Sequence, residues 1–306
     1  TIIYQSITKL QSTTYLFKLN FTQMKTLKYF MLLILANTLI ISCSSDDDNF
    51  NDTNIHNETD HLTLIQTISN ESHKLAIFTE NGKLIEGYNS IYIQIKDHNN
   101  QLISNVDINW EPIMHMHNMS HSAPFSTIEK TNESNTLYHG FIIFQMASHA
   151  DEYWELNFDY TIDGVSYEMS DTIHVQQAER RRVVSFVGND DNNYLIALVE
   201  PKDPEVAIND MVAAIYTMEN MHQYSLINDY VLKIDPRMPG MGNHGSPNNQ
   251  DLTQGADLFY HGKLSLTMTG YWKINLILEN EIGETLKGES ISVDNESSSI
   301  FFEIEF

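Results

Sequence analysis

Apolar and polar residues alternate in short runs along most of the chain. Ile91, Ile93 and Ile95 interleave with Tyr92, Gln94 and Lys96, the period of two expected of a half-buried strand. Comparable β-rich runs cover 75–78, 90–96, 106–110, 137–146, 153–160 and 165–175. Asn81-Gly82, Asp97-His98-Asn99-Asn100 and Asp163-Gly164 supply turn residues between them. A second series covers 183–187, 194–199, 211–218, 230–235, 258–268, 271–279, 286–293 and 300–306. Neither series contains a long amphipathic helical pattern, so the chain is predicted to be all-β.

The second series repeats the first. Tyr138-His139-Gly140 matches Tyr260-His261-Gly262 at an offset of 122. The same offset aligns Met116 with Met238, Met119 with Met241 and Met146 with Met268. Tyr153-Trp154-Glu155-Leu156-Asn157 matches Tyr271-Trp272-Lys273-Ile274-Asn275 at 118, the first copy carrying four extra residues near 148–151. His121-Ser122-Ala123-Pro124 matches His244-Gly245-Ser246-Pro247 at 123. About seven strands in roughly 110 residues is the strand density of an immunoglobulin-like β-sandwich. Two tandem sandwiches are expected, over 63–178 and 179–306, with Trp154 and Trp272 as buried aromatic anchors.

The stretch before them reads as an address. Residues 1–42 contain no Asp or Glu, and Met24-Lys25-Thr26-Leu27-Lys28 opens an apolar run over 29–41. That run is short for a membrane span of about 20 residues and suits the core of a secretory signal. It ends in Ile40-Ile41-Ser42-Cys43, which resembles the lipobox of bacterial lipoproteins, where cleavage precedes the cysteine and the thiol carries lipid. The alternative is a single membrane anchor with an incidental cysteine. The lipoprotein reading makes 1–23 an upstream extension, 24–42 a signal peptide and 43–62 a lipidated, acidic, disordered tether. Cys43 followed by Ser44-Ser45-Asp46-Asp47-Asp48 also resembles a surface-export signal of lipoproteins in some Gram-negative bacteria. The Asp run lacks the glycine and spaced glutamate of a calcium loop. The expected location is the cell envelope, anchored by lipid at the outer membrane and exposed at its surface.

Charge and cysteine content narrow the function further. The 306 residues include 17 basic and 41 acidic ones, a net charge of −24. Four of the 17 basic residues and none of the 41 acidic ones precede Cys43, so the mature chain carries −28. Such a chain has no electrostatic footprint for nucleic acid. Its single cysteine excludes an intrachain disulfide and a cysteine zinc site. No GxSxG elbow, HExxH pair or phosphate-cradling glycine loop occurs, so no catalytic residue is assigned and no enzyme is expected.

By contrast, the 13 Met and 13 His are concentrated in places. Three Met and three His fall within positions 114–121: Met114, His115, Met116, His117, Met119 and His121. The matching loop of the second copy holds Met238, Met241 and His244. Thioether sulfur favours Cu(I), and imidazole serves Cu(I) and Cu(II), whereas zinc prefers His with carboxylate or Cys. These residues are the candidate copper ligands, with His139 and His261 as further candidates from a neighbouring strand. The competing reading is that the Met side chains fill core gaps and the His side chains are merely polar. His56, His61, His73, His98, His149, His174 and His222 receive no functional reading.

Each copy resembles the YtkA-like or FixH-like family of envelope β-sandwich domains. The motifs are Met238-Pro239-Gly240-Met241, His244-Gly245-Ser246-Pro247, Tyr260-His261-Gly262 and Tyr271-Trp272. The first copy departs from the pattern, with His117-Asn118 where Pro-Gly is expected. The resemblance spans 75–175 and 183–306 and implies a link to copper handling and to assembly of copper-containing oxidases. It makes a copper donor or acceptor protein the expected partner, besides the membrane. The alternative is a metal-free interaction or assembly module at the cell surface.

Overall fold

The computed structural model describes residues 58–131 and 136–306. The expectations for the signal peptide, for Cys43 and for the tether up to residue 57 lie outside the described residues. The turn at 58–61 already packs on the first sheet, with His61 edge-on to Tyr92 at 6.1 Å.

The first half runs β1 (Thr63–Ser69), β2 (His73–Thr79), β3 (Leu84–Ile85), β4 (Gly87–Asp97), β5 (Asp107–His115) and β6 (Ser120–Ser122). It continues through β7 (Glu129–Lys130), β8 (Tyr138–Phe144), β9 (Tyr153–Ile162), β10 (Val165–Ile173) and β11 (Val175–Gln176). One sheet has the order β1-β2-β4-β8-β7 and the other β10-β9-β5-β6, while β11 and β3 form a small parallel pair. Alternation places the core between the two sheets. In β5, Ile108, Trp110, Pro112 and Met114 are buried while Asp107, Asn109 and Glu111 face water. They meet Leu75, Ile77, Ile91 and Ile93 from the opposite sheet around Trp154.

The second half runs β12 (Val183–Val187), β13 (Asn193–Glu200), β14 (Ile208–Asn220), β15 (Gln223–Leu226), β16 (Val231–Met238) and β17 (His244–Gly245). Then come β18 (Gln250–Gln254), β19 (Tyr260–Ser265), β20 (Tyr271–Glu279), β21 (Thr285–Lys287) and β22 (Phe301–Glu305). The order β12-β13-β14-β19-β18 reproduces β1-β2-β4-β8-β7, and β16 with β17 and β20 reproduces β5 with β6 and β9. Two differences stand out. β18 also pairs with β16, so the layers join into one 11-stranded sheet. The place of β10 is shared by β21 and β22, which pair with opposite ends of β20. The expected strand at 286–293 is correspondingly shorter, ending at Lys287, and Val293 is 97% exposed. β1 escapes the alternation rule because only Ile68 in it is fully buried.

Two residues of each Tyr-His-Gly motif hold the fold. The Tyr138 hydroxyl donates to the Ser104 carbonyl at 2.9 Å and accepts the Val106 amide at 2.9 Å. The Tyr260 hydroxyl donates to the Ile227 carbonyl at 3.0 Å and accepts the Tyr230 amide at 3.3 Å. Both tyrosines thus tie the strand to the loop that leads into the facing sheet, satisfying buried backbone groups. Gly140 is needed because a Cβ there would stand 2.7 Å from the Trp110 ring, and one at Gly262 would strike the Gln250 carbonyl.

The two halves meet through sheet faces, within one compact unit. β13 is buried on both sides: Tyr194, Ile196 and Leu198 enter the second core, while Leu195, Ala197 and Val199 enter a separate cluster. That cluster adds Ile143, Phe141 and Tyr88 from the first half, with Phe259 packing on Phe141 at 5.5 Å. Burial pushes the Tyr88 and Tyr224 hydroxyls up to about 12, so both stay neutral in this joint.

Candidate functional site

Strand pairing sets the geometry of both Met/His loops, each of which is a hairpin. In the first, β5 pairs with β6 so that Met114 stands opposite His121, and Met114 also stands opposite Trp154 across β9. In the second, Met238 stands opposite His244. Pro112 pairs with Leu156 and Pro236 with Ile274, and Leu156 and Ile274 are matched positions of the Trp strands. The register therefore aligns Pro112 with Pro236 and Met114 with Met238. The sequence offset of 122, which aligned Met116 with Met238 and Met119 with Met241, is replaced here by 124 at Met114 and by 123 at His121, the first copy holding one more residue between these two partners.

The aligned methionines are core residues. Met114 is 0% exposed and Met238 is 5% exposed. Met238 lies under Gly270, where φ is +120° and a Cβ would sit 3.2 Å from the Met238 Cε. Met116 is half-buried against the first core. The hairpin tips differ in kind: Met119 is 49% exposed and Met241 57% exposed, and His117 and His244 are exposed beside them. The first tip is closed by the Met116 amide donating to the Met119 carbonyl at 2.9 Å. The second tip contains the short 3₁₀ turn Pro239–Met241, ended by Gly242 in the left-handed region at φ 64°.

The pleat separates the histidines of the first hairpin. His121 shares the face of Met114, and its ring meets Trp154 edge-on at 5.5 Å. Its Nδ1 donates to the Ser122 carbonyl at 2.7 Å, so Nε2 is left with a lone pair. His115 lies on the opposite face, stacked on Tyr153 at 4.9 Å, with Nε2 bonded to Glu155 Oε2 at 2.8 Å. A ring nitrogen tied to a carbonyl or carboxylate, with the other free, is the usual arrangement of a metal-ligating histidine. His115 and His121 fit that chemistry one at a time, because they face opposite sides of the sheet.

His139 and His261 lie elsewhere. His139 is in the sheet opposite β5, bonded through Nε2 to Ser90 Oγ at 2.7 Å and packed on Tyr92. Burial holds its pKa below the ordinary histidine value, with Glu80 opposing and Lys202 reinforcing the shift. His261 is exposed and bonded to Asp257 at 2.8 Å. The structure does not bring either to the Met/His hairpin of its own half.

The second hairpin carries a cation at its base. Arg237, aligned with Ile113, binds Asp235 through Nε at 2.7 Å and Nη2 at 2.8 Å. The carboxylate of Asp235 neutralises that charge within the pair. Among the described residues, no three His, Cys, Asp or Glu side chains cluster closely enough to hold a metal ion. No described helix is long and apolar enough to cross a membrane.

The turn between β14 and β15, Met221-His222, follows Met218-Glu219-Asn220 at the end of β14 and adds residues outside both Met/His hairpins. Its Met221 carbonyl accepts the Ser122 amide of the first hairpin at 2.8 Å. The readable signal was its Met-x-x-Met spacing, the same as that of Met116 and Met119. No protein-family model matches the chain, and comparison with curated proteins gave no match.

Proposed function

We propose that this chain is a cell-envelope lipoprotein that binds copper through its Met/His hairpins, for capture, delivery or tolerance. It acts as a binding protein, not an enzyme. The observation that carries the reading is the pairing of an exposed tip methionine with an exposed or singly tethered histidine at the same strand end of both halves. Thioether and imidazole together select Cu(I) over hard cations, and methionine tolerates an oxidising compartment better than cysteine does. The acidic surface raises the local concentration of cations without choosing among them. The lipobox-like stretch ending at Cys43 and the motif resemblance to YtkA-like or FixH-like domains are the sequence features behind the location and the cargo.

The test is a Cu(I) titration of the chain from Cys43 onward against a competing chelator. Wild type is expected to retain Cu(I), and the Met116→Ala, His117→Ala, Met119→Ala, His121→Ala variant to lose the tighter site. Unchanged affinity in that variant sinks the claim for the first hairpin.

A metal-free interaction module is the second reading, and the burial of Met114 and Met238 favours it. Those two side chains serve packing whether or not copper binds. Sub-stoichiometric copper in protein purified from copper-supplemented medium would select this reading.

A further inference from the structure

The turn between β14 and β15 is held against the first hairpin at two points, and its own ladder keeps it rigid. The Ser122 amide donates to the Met221 carbonyl at 2.8 Å, one residue from His121. Gln145 Nε2 donates to the Tyr224 hydroxyl at 2.7 Å and lies 3.5 Å from the Ser122 carbonyl. Met218 pairs with Tyr224, and Asn220 with Gln223, in the ladder between β14 and β15. The turn is therefore a fixed neighbour of β6, positioned by rigid strands as a binding site requires.

Its chemistry matches that of the hairpin it touches. Met221 is 43% exposed and His222 is exposed, so neither is held by packing into a core. An exposed thioether gains little from burial, and a second one next to it gains no more. The first hairpin alone offers one well-exposed thioether, Met119, together with the Nε2 lone pair of His121. The turn carries a second thioether and another imidazole on the segment whose backbone bonds Ser122, the residue after His121. The second hairpin has Arg237 at its base instead.

We infer that the first hairpin and the β14–β15 turn build one soft-metal site across the joint, with Met116, Met119 and His121 from one half and Met221 and His222 from the other. The ligand class is a soft monovalent cation, Cu(I). The inference rests on the copper reading of the hairpins and adds to it residues from outside both of them. A metal held there binds the two halves at once, so it stabilises the joint by mass action.

The experiment uses the chain from Cys43 onward with the second hairpin silenced by Met241→Leu and His244→Asn. In that background, Met221→Leu with His222→Asn keeps the backbone bond to Ser122 and removes only the donors. Cu(I) competition with a chromogenic chelator is expected to show at least about a tenfold loss of affinity. Copper X-ray absorption is expected to lose sulfur scattering in Met221→Leu alone, with circular dichroism unchanged. An affinity and a sulfur signal both equal to the background overturn the shared site. If Met119→Leu with His121→Asn still weakens binding in that case, the copper reading of the first hairpin survives. A background protein that binds no Cu(I), alongside an unsilenced chain that binds none either, overturns both.

Discussion

The indole N–H of Trp154 donates to the carbonyl oxygen of Met146 at 2.9 Å. Its counterpart Trp272 donates to Met268 at 3.0 Å, and both rings are fully buried. The bond closes the same loop in each half. Trp154→Phe and Trp272→Phe each leave a carbonyl unpaired and a void beside it, costing about 1–3 kcal/mol. Chemical denaturation should show similar losses for the two variants.

Gly262→Ala is expected to cost about 3 kcal/mol, because its Cβ would meet the rigid Gln250 carbonyl. Gly140→Ala is expected to cost less, since its closest contact is the Trp110 ring at 2.7 Å and its nearest backbone atom is 3.2 Å away. Thermal unfolding of the pair should rank them in that order. The reverse ranking would show that the ring is the less yielding neighbour.

Met114→Ala and Met119→Leu separate packing from ligation. Met114 is wholly buried, so its truncation is expected to cost about 2–5 kcal/mol while the folded fraction keeps its Cu(I) affinity. Met119 is half exposed, so Met119→Leu is expected to leave stability within about 0.5 kcal/mol and to weaken Cu(I) binding. Urea curves and copper titrations on the same preparations check both halves of the claim.

Stability is expected to fall on mild acidification. Burial lowers the pKa of His139 from 6.5, and burial likewise lowers that of His73, where Asp97 partly offsets it. Between the lowered folded value and 6.5 the unfolded chain binds more protons, so unfolding becomes easier as pH falls through that window. Above 6.5 the contribution is complete. Melting temperature followed from about pH 7.5 to about pH 5 should decline, and His139→Gln should flatten the decline. Asp97, Asp190, Asp210, Glu289 and Glu303 have lowered values, so their losses follow only at lower pH.

Strands with one wet face were legible in the sequence, because alternation reports burial directly. Val183–Val187 and Tyr271–Glu279 were read to the residue. The repeat was legible because Tyr138 and Tyr260, and Trp154 and Trp272, make matching hydrogen bonds, while Gly140 and Gly262 each leave no room for a Cβ. The hairpin register was not legible. Met spacing of three aligned Met116 with Met238, whereas burial opposite a tryptophan strand picks out Met114. The Met221 turn was missed because its meaning depends on Ser122, 99 positions earlier, and local pattern carries no such information. His139 and His261 looked like ligands only because each travels with a Tyr and a Gly that the fold requires.

The apolar joint through Ile143, Leu195, Ala197 and Tyr216 makes the two halves interdependent. A fragment ending near Gln176 would bare Tyr88, Phe141 and Ile143, and one starting near Val183 would bare the matching wall of β13 and β14. Patches of that kind self-associate. Neither half is a portable module for grafting or for separate expression. The span between the two Met/His hairpins is consequently a constant of the molecule, unlike that of domains strung on a linker, where spacing drifts with linker length.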